Sequence, residues 1–134
     1  MEYLHSELTQ DIIKVFFKVY NTLGFGFLEK VYERALIIEL RKQGFNVKSQ
    51  YPITVYYEGQ EVGVFYADII VNELVILELK AIELIVPENE AQLINYLRAT
   101  KIEVGLLLNF GQKPQIRRLV FTNDLKKKAT DKTD

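Results

Sequence analysis

The spacing of apolar residues changes several times along this chain, and each change marks an element. From about Glu7 to Leu23, the residues Leu8, Ile12, Phe16, Val19 and Leu23 recur every three or four positions, which is one face of a helix. Gly24 and Gly26 end that helix and form a short connection. A second helix is expected from about Leu28 to Gln43, with Leu28, Val31, Ala35 and Leu36 turned inward and Gly44 at its stop. The period then drops to two. Tyr51 to Tyr57 alternates, Ile53, Val55 and Tyr57 against Thr54 and Tyr56, and Glu58-Gly59-Gln60 reads as a turn. Strands are expected over Val62 to Val71 and Val75 to Ala81. Pro87 opens a helix from about Glu88 to Thr100, because proline suits the first helical position. Two more strands, at about Glu103–Asn109 and Gln115–Thr122, flank Phe110-Gly-Gln-Lys-Pro114, and the charged tail from Lys126 to Asp134 is expected to fray.

The resulting order, α-α-β-β-β-α-β-β, places three meandering strands before a helical crossover. Such an order makes a mixed sheet flanked by helices, an α/β (α+β) fold. With 134 residues and 49% hydrophobic content, one core is sufficient, so residues 1–125 read as a single domain and 126–134 as its tail. A formal net charge of −1 argues against a sequence-independent coat for DNA, though not against a local basic groove. There is no cysteine and His5 is the only histidine, which removes thiolate metal sites, most Ser-His and Cys-His triads and multi-imidazole zinc centres. His5 itself reads as a solvated residue near a helix start. Chemistry is left to oxygen ligands and lysine. The first residues are polar and acidic and no apolar run approaches the ~20 residues of a membrane span, so a cytoplasmic protein without membrane contact is expected.

The most unusual stretch runs from Asp68 to Lys80. Glu78 and Lys80 lie two apart in a run of β-formers, so they share one strand face. Burying an acid and an amine there is unfavourable unless they are paired, solvated in a cleft or holding an ion. Asp68 adds a carboxylate from the preceding strand, and two carboxylates beside an ammonium suit a divalent cation, a water and a phosphate. Strand geometry makes a sharp demand. A two-residue turn at Asn72-Glu73 would pair Ala67 with Glu78 and send Asp68 to the other face. A three-residue loop, Asn72-Glu73-Leu74, pairs Asp68 with Glu78 instead, usually through a type I turn and a left-handed residue.

These residues resemble a known family. Gly26-Phe-Leu-Glu29-Lys-Val-Tyr32 fits the Gly-x-x-Glu-x-x-Tyr signature of the GxxExxY proteins, and Asp68…Glu78-Leu-Lys80 resembles the core of the PD-(D/E)XK nuclease superfamily. The likeness covers about Leu8 to Asn123, with Ala67 standing where the superfamily name implies proline. It implies a restriction-endonuclease-like αβββαβ core and Mg²⁺-dependent (or Mn²⁺-dependent) cleavage of nucleic-acid phosphodiesters. The alternative is an inactive nuclease-fold module that binds nucleic acid or a protein.

On this resemblance Asp68 and Glu78 are metal ligands, and Lys80 positions the attacking water and offsets charge on the phosphoryl group. The bland counterpart is a structural Glu78–Lys80 ion pair. Glu29 is a third carboxylate for the metal, or else a first-turn acid favoured by the helix dipole. Tyr32, one turn later, orients Glu29 or a phosphate, or packs in the core. Gln92 and Tyr96 share a helix face beside the apolar Leu93 and Leu97; Gln92 could hydrogen-bond the water and Tyr96 the backbone of a substrate, though boundary positions need no function. Arg98, Lys101, Arg117 and Arg118 are available for phosphates, Arg117 and Arg118 on opposite faces. Tyr20, Phe25, Phe45, Tyr51, Tyr56, Tyr57, Tyr66 and Phe110 are available for base stacking, core packing or dimer contacts. The expected partner is DNA or RNA, with a homodimer left open.

Overall fold

A computed structural model describes residues 4–129. Helices α1 (Ser6–Leu23) and α2 (Glu29–Lys42) precede strands β1 (Val47–Tyr57), β2 (Gln60–Val71) and β3 (Val75–Lys80). Helix α3 (Pro87–Arg98), strands β4 (Val104–Phe110) and β5 (Pro114–Val120), and helix α4 (Asn123–Ala129) complete the chain. The strands form one sheet in the order β1-β2-β3-β4-β5. Only β3 and β4 run parallel, with α3 as the crossover between them; the other neighbours are antiparallel. This is the expected mixed sheet between helical layers.

Each face of the sheet has its own core. Ile12, Phe16 and Val19 of α1 and Tyr32, Leu36 and Leu40 of α2 close over Ile69, Val71, Leu77, Leu106 and Leu108. On the other face Leu93, Tyr96 and Leu97 of α3 cover Ile53, Ala67, Ile70, Ile76 and Leu107. Strand β4 is covered on both sides and all of its residues are buried, the expected consequence of a central strand in a sheet with helices on both faces.

Three features depart from expectation. Leu28 is 80% exposed and Val31 38% exposed, not inward. The α2 face that wins carries Tyr32, Glu33, Leu36 and Leu40, because the Tyr32 ring stacks on Phe110 at 4.2 Å and sets the helix phase. Strand β1 starts at Val47, before Tyr51, because its first residues pair with the end of β2. Finally, Asn123–Ala129 is helical where fraying was expected from Lys126 onward. Lys126 is buried, and its ammonium donates to the Thr100 and Ile102 carbonyls just after α3. The remainder of the expected tail, 130–134, lies outside the described residues.

The hairpin between β2 and β3 has the three-residue loop that a shared Asp68–Glu78 face requires: Val71 pairs with Val75, Ile70 with Ile76 and Ile69 with Leu77. Its conformation is different from the one expected. Asn72 and Glu73 are both left-handed, at φ 53° and 54°, and the Leu74 N–H donates to the Val71 carbonyl at 2.9 Å. Asn72 then clamps the loop, donating its N–H to the Asn46 carbonyl and accepting the Asn46 N–H on Oδ1.

Candidate active site

The β2–β3 ladder ends at Ile69–Leu77, and at the next position side chains replace rungs. The Asp68 N–H donates to Glu78 Oε1 at 3.1 Å, while the Leu79 N–H donates to Asp68 Oδ2 at 2.8 Å. Each carboxylate thus satisfies backbone donors of the other strand as the two strands part. Lys80 follows on the same face of β3 as Glu78, half-buried at the strand end.

Electrostatics show which other groups share this space. Burial, then the Asp68 charge, pushes the Glu78 carboxyl up to about 8, against the opposing pull of the Asp68 N–H and Lys80. Asp68 is raised by burial and by Glu33, and is held back by the Leu79 N–H, Gln50 and Lys80. Partial burial also raises Glu29, with Lys80 opposing and Asp68 and Glu33 reinforcing it. The Ala81 N–H faces Glu29 as well, so the start of α2 lies against the end of β3. The Tyr96 hydroxyl is raised by burial and then by the charges of Glu78 and Asp68. Glu29 therefore lies within reach of the charges of Asp68, Glu78 and Lys80, and Tyr96 within reach of those of Glu78 and Asp68.

The residues of the Gly-x-x-Glu-x-x-Tyr motif divide the work locally. Gly26, at φ 110°, makes the turn that a side chain would strain. The Tyr32 hydroxyl donates to the Gly24 carbonyl at 2.6 Å and accepts the Phe27 N–H at 3.2 Å, locking both ends of the connection. Tyr32 is fully buried, with its ring stacked on Phe110. Gln92 is exposed on α3, and no contact joins it to the carboxylates among the described residues. Lys80 makes no contact ion pair among the described residues, whose ion pairs lie elsewhere.

Two polar residues of the site escaped the sequence reading. Glu33 is buried, paired with Lys30 at 3.2 Å and bonded by Gln50 Nε2 through both oxygens, at 3.3 and 3.1 Å. Its spacing of four from Glu29 was the available signal. Gln50 sits opposite Asp68, between the rungs Ser49–Ile69 and Tyr51–Ala67; extending the hairpin register by one strand would have found it. The loop after Lys80 is also fixed from below. Buried Asn109 accepts the Ile82 N–H on Oδ1 and donates Nδ2 to the Ile82 carbonyl and Gln115 Oε1. A Cβ at Gly111 would fall 2.1 Å from that Ile82 carbonyl oxygen.

Three of the four cations considered for substrate contact are engaged elsewhere, and so are two of the rings. Arg117 pairs with Glu90 at 3.7 Å, Arg118 donates to the Leu4 carbonyl, and Arg98 lies 5.8 Å over the Phe121 ring. Tyr20 and Phe110 are stacked inside the α1–α2 core.

The sequence profile of the PD-(D/E)XK nuclease superfamily matches residues 6–119. The chain belongs to that superfamily. The matched span contains the Asp68–Glu78–Lys80 group and Glu29 and ends inside β5. No curated protein and no solved structure matches the chain.

The donor set of the superfamily's usual divalent ion can be tested against this geometry. Asp68 and Glu78 offer only hard oxygens, the ligand type that Mg²⁺ and Mn²⁺ take. One oxygen of each is fixed by a backbone N–H, and a carboxylate has lone pairs to spare. A buried acid and a half-buried one that repel each other are what a cation relieves. The pair fits. Among the described residues no group of three or more acidic side chains converges tightly enough to cage an ion alone, so waters and a substrate phosphate would have to complete the shell.

Proposed function

We propose that this chain is a divalent-metal-dependent nuclease of the GxxExxY group that hydrolyses phosphodiester bonds in DNA or RNA. The observation that carries the reading is the reciprocal Asp68–Glu78 clasp at the parting of β2 and β3, with Lys80 on the same face of β3. Membership in a nuclease superfamily supports it.

A bound Mg²⁺ or Mn²⁺ would supply positive charge to polarise the phosphoryl oxygen and acidify a water. Asp68 and Glu78 would hold it, with Glu29 reaching the same volume from the start of α2. Lys80 orients the attacking water and offsets the negative charge that builds on the phosphoryl oxygens. The buried Tyr96 closes the α3 side of the site beside Glu78, where its hydroxyl can contact the substrate backbone. Gln92, one turn before Tyr96 on the solvent side, is a substrate contact in this reading.

The same reading extends to nucleic acid as partner and the cytoplasm as compartment. No helix among the described residues is long and apolar enough to cross a membrane. The exposed Tyr56, Tyr57, Phe65 and Tyr66 on the outer β1–β2 hairpin support a homodimer. No cation lies between Ser49 and Ala67, which favours a protein over a phosphate backbone as the partner of those rings.

The test is cleavage of single- and double-stranded DNA and RNA with Mg²⁺ or Mn²⁺. Asp68→Ala should abolish it, and Lys80→Ala should lower kcat by about 10²–10³-fold, the usual loss when an electrostatic stabiliser is removed. Undiminished cleavage in both variants removes the mechanism. Nucleic-acid binding without affinity for either cation would identify a non-catalytic module instead.

A further inference from the structure

Gln50 is the only residue inside a strand, among the described non-glycine residues, that has a positive φ, at 51°. His5 is at a helix cap, and Glu58, Asn72 and Glu73 are in turns. A left-handed conformation is unfavourable for a glutamine, and within a strand it interrupts the ladder. Such an outlier persists where its surroundings enforce it, often at a functional site.

The consequence is visible in the packing on either side of it. Val47 belongs to the core under α1 and α2, whereas Ile53 belongs to the core under α3. Across the ladder, Ile69 and Ala67 divide in the same way. Regular alternation would put both members of each pair on one face, so β1 and β2 switch faces together at Gln50 and Asp68. The side chain of Gln50 bonds both oxygens of buried Glu33 and faces Asp68 across the ladder. A neutral amide with two N–H donors can link two carboxylates without neutralising either. A lysine in its place would compete with a cation.

We infer that Gln50 is a positioning residue, whose amide spaces Glu33 from Asp68 and so holds Asp68 in the orientation from which it and Glu78 take a divalent ion. This rests on the metal-dependent reading of the site. Glu33 is the anchor for that amide, which gives this buried acid a role of its own.

Gln50→Gly separates the side chain from the backbone, since glycine accepts a φ of 51° without strain. Mn²⁺ affinity is measured by calorimetry on wild type, Gln50→Gly and Gln50→Ala, beside urea unfolding without cation. Gln50→Gly should bind Mn²⁺ 10–100-fold more weakly, the usual loss when a partner of a metal ligand is removed. It should lose less stability without cation than Gln50→Ala, because relief of the left-handed strain offsets part of the lost bonding to Glu33. Gln50→Ala should bind as weakly and also lose stability, so the glycine variant decides if the alanine variant does not fold. Wild-type affinity in Gln50→Gly overturns this inference and leaves the metal reading standing. Equal loss of cation-free stability and affinity in Gln50→Gly overturns it too, because that is a merely structural role. Absence of Mn²⁺ binding in wild type removes the metal reading and this inference with it.

Discussion

Strand β4 and the outer part of the β1–β2 hairpin are written in similar apolar residues and meet opposite fates. Every residue of β4 is buried, between β3 and β5 and under helices on both faces. In the hairpin Tyr57 is 67% exposed, Val62 62% and Tyr66 55%. The difference is one of neighbours. Strand β3 has six residues and its ladder to β2 ends at Ile69, so the pairs from Tyr51–Ala67 outward stand as a two-stranded ribbon. Beyond Ile53 and Ala67, which α3 still covers, residues that would be core in a wider sheet are surface here. The candidate site lies at the junction, where the ribbon leaves the supported sheet and backbone donors need new acceptors.

The largest expected contrast is mutational. Leu107→Ala, in fully buried β4, should cost about 2–5 kcal/mol of unfolding free energy by urea titration, the usual range for a core leucine. Tyr66→Ser in the ribbon should stay within about 0.5 kcal/mol, as surface substitutions do. Equal losses would mean that the ribbon is covered in solution.

At the junction, pH should act on Glu78. Its carboxyl is near 8 in the folded chain against 4.5 in the unfolded one, so between those values the folded state keeps a proton that the unfolded state has lost. Its contribution to stability is complete below pH 4.5 and disappears as pH rises through 8, with a slope of at most about 1.4 kcal/mol per pH unit. Unfolding titrations at pH 5 to 8 should show the decline. Glu78→Gln should flatten it, and Mn²⁺ should raise the melting temperature more at pH 8 than at pH 5. A flat wild-type profile would mean that water reaches the carboxylate freely.

A smaller effect is expected beneath Lys80. Gly111→Ala puts a methyl into the Ile82 carbonyl and should cost about 1–3 kcal/mol as the 81–86 loop gives way. An unchanged urea midpoint would show that the loop shifts freely, and hence that Asn109 does not hold it. Smallest is the hydrogen-exchange difference without any mutation. Ribbon amides should open at lower free energy than the β3–β4 amides, and uniform protection would erase the distinction between the two regions.

Much of the scaffold was readable from one chain because it follows from local signals. Pro87 and the glycines bound helices, and the odd loop at Asn72-Glu73-Leu74 places Asp68 opposite Glu78 once shared geometry is required. What was not readable depends on distant contacts. The phase of α2 is set by Tyr32 on Phe110, far away in sequence, which is why Leu28 and Val31 point outward. Glu33 reads as an ordinary helix acid until Gln50 arrives from β1. The exposure of Phe65 and Tyr66 follows from where β3 stops, and their own pattern is silent about it. The short helix holding Lys126 was hidden by its charge, because the carbonyls that receive the ammonium belong to residues after α3.

The division of labour within Gly26, Glu29 and Tyr32 has a consequence for comparing descendants of a common ancestor. The glycine shapes a bend and the tyrosine ties it down, so drift in a protein that had abandoned chemistry would still be restrained at both positions by the need to fold. Glutamate at position 29 gives a lesser structural service: it is a first-turn acid of α2, only partly buried, that meets one backbone N–H. Among sister chains, keeping the two outer letters of the signature therefore answers to the demands of folding, and on the proposed metal-dependent reading the middle one is the letter that answers to use.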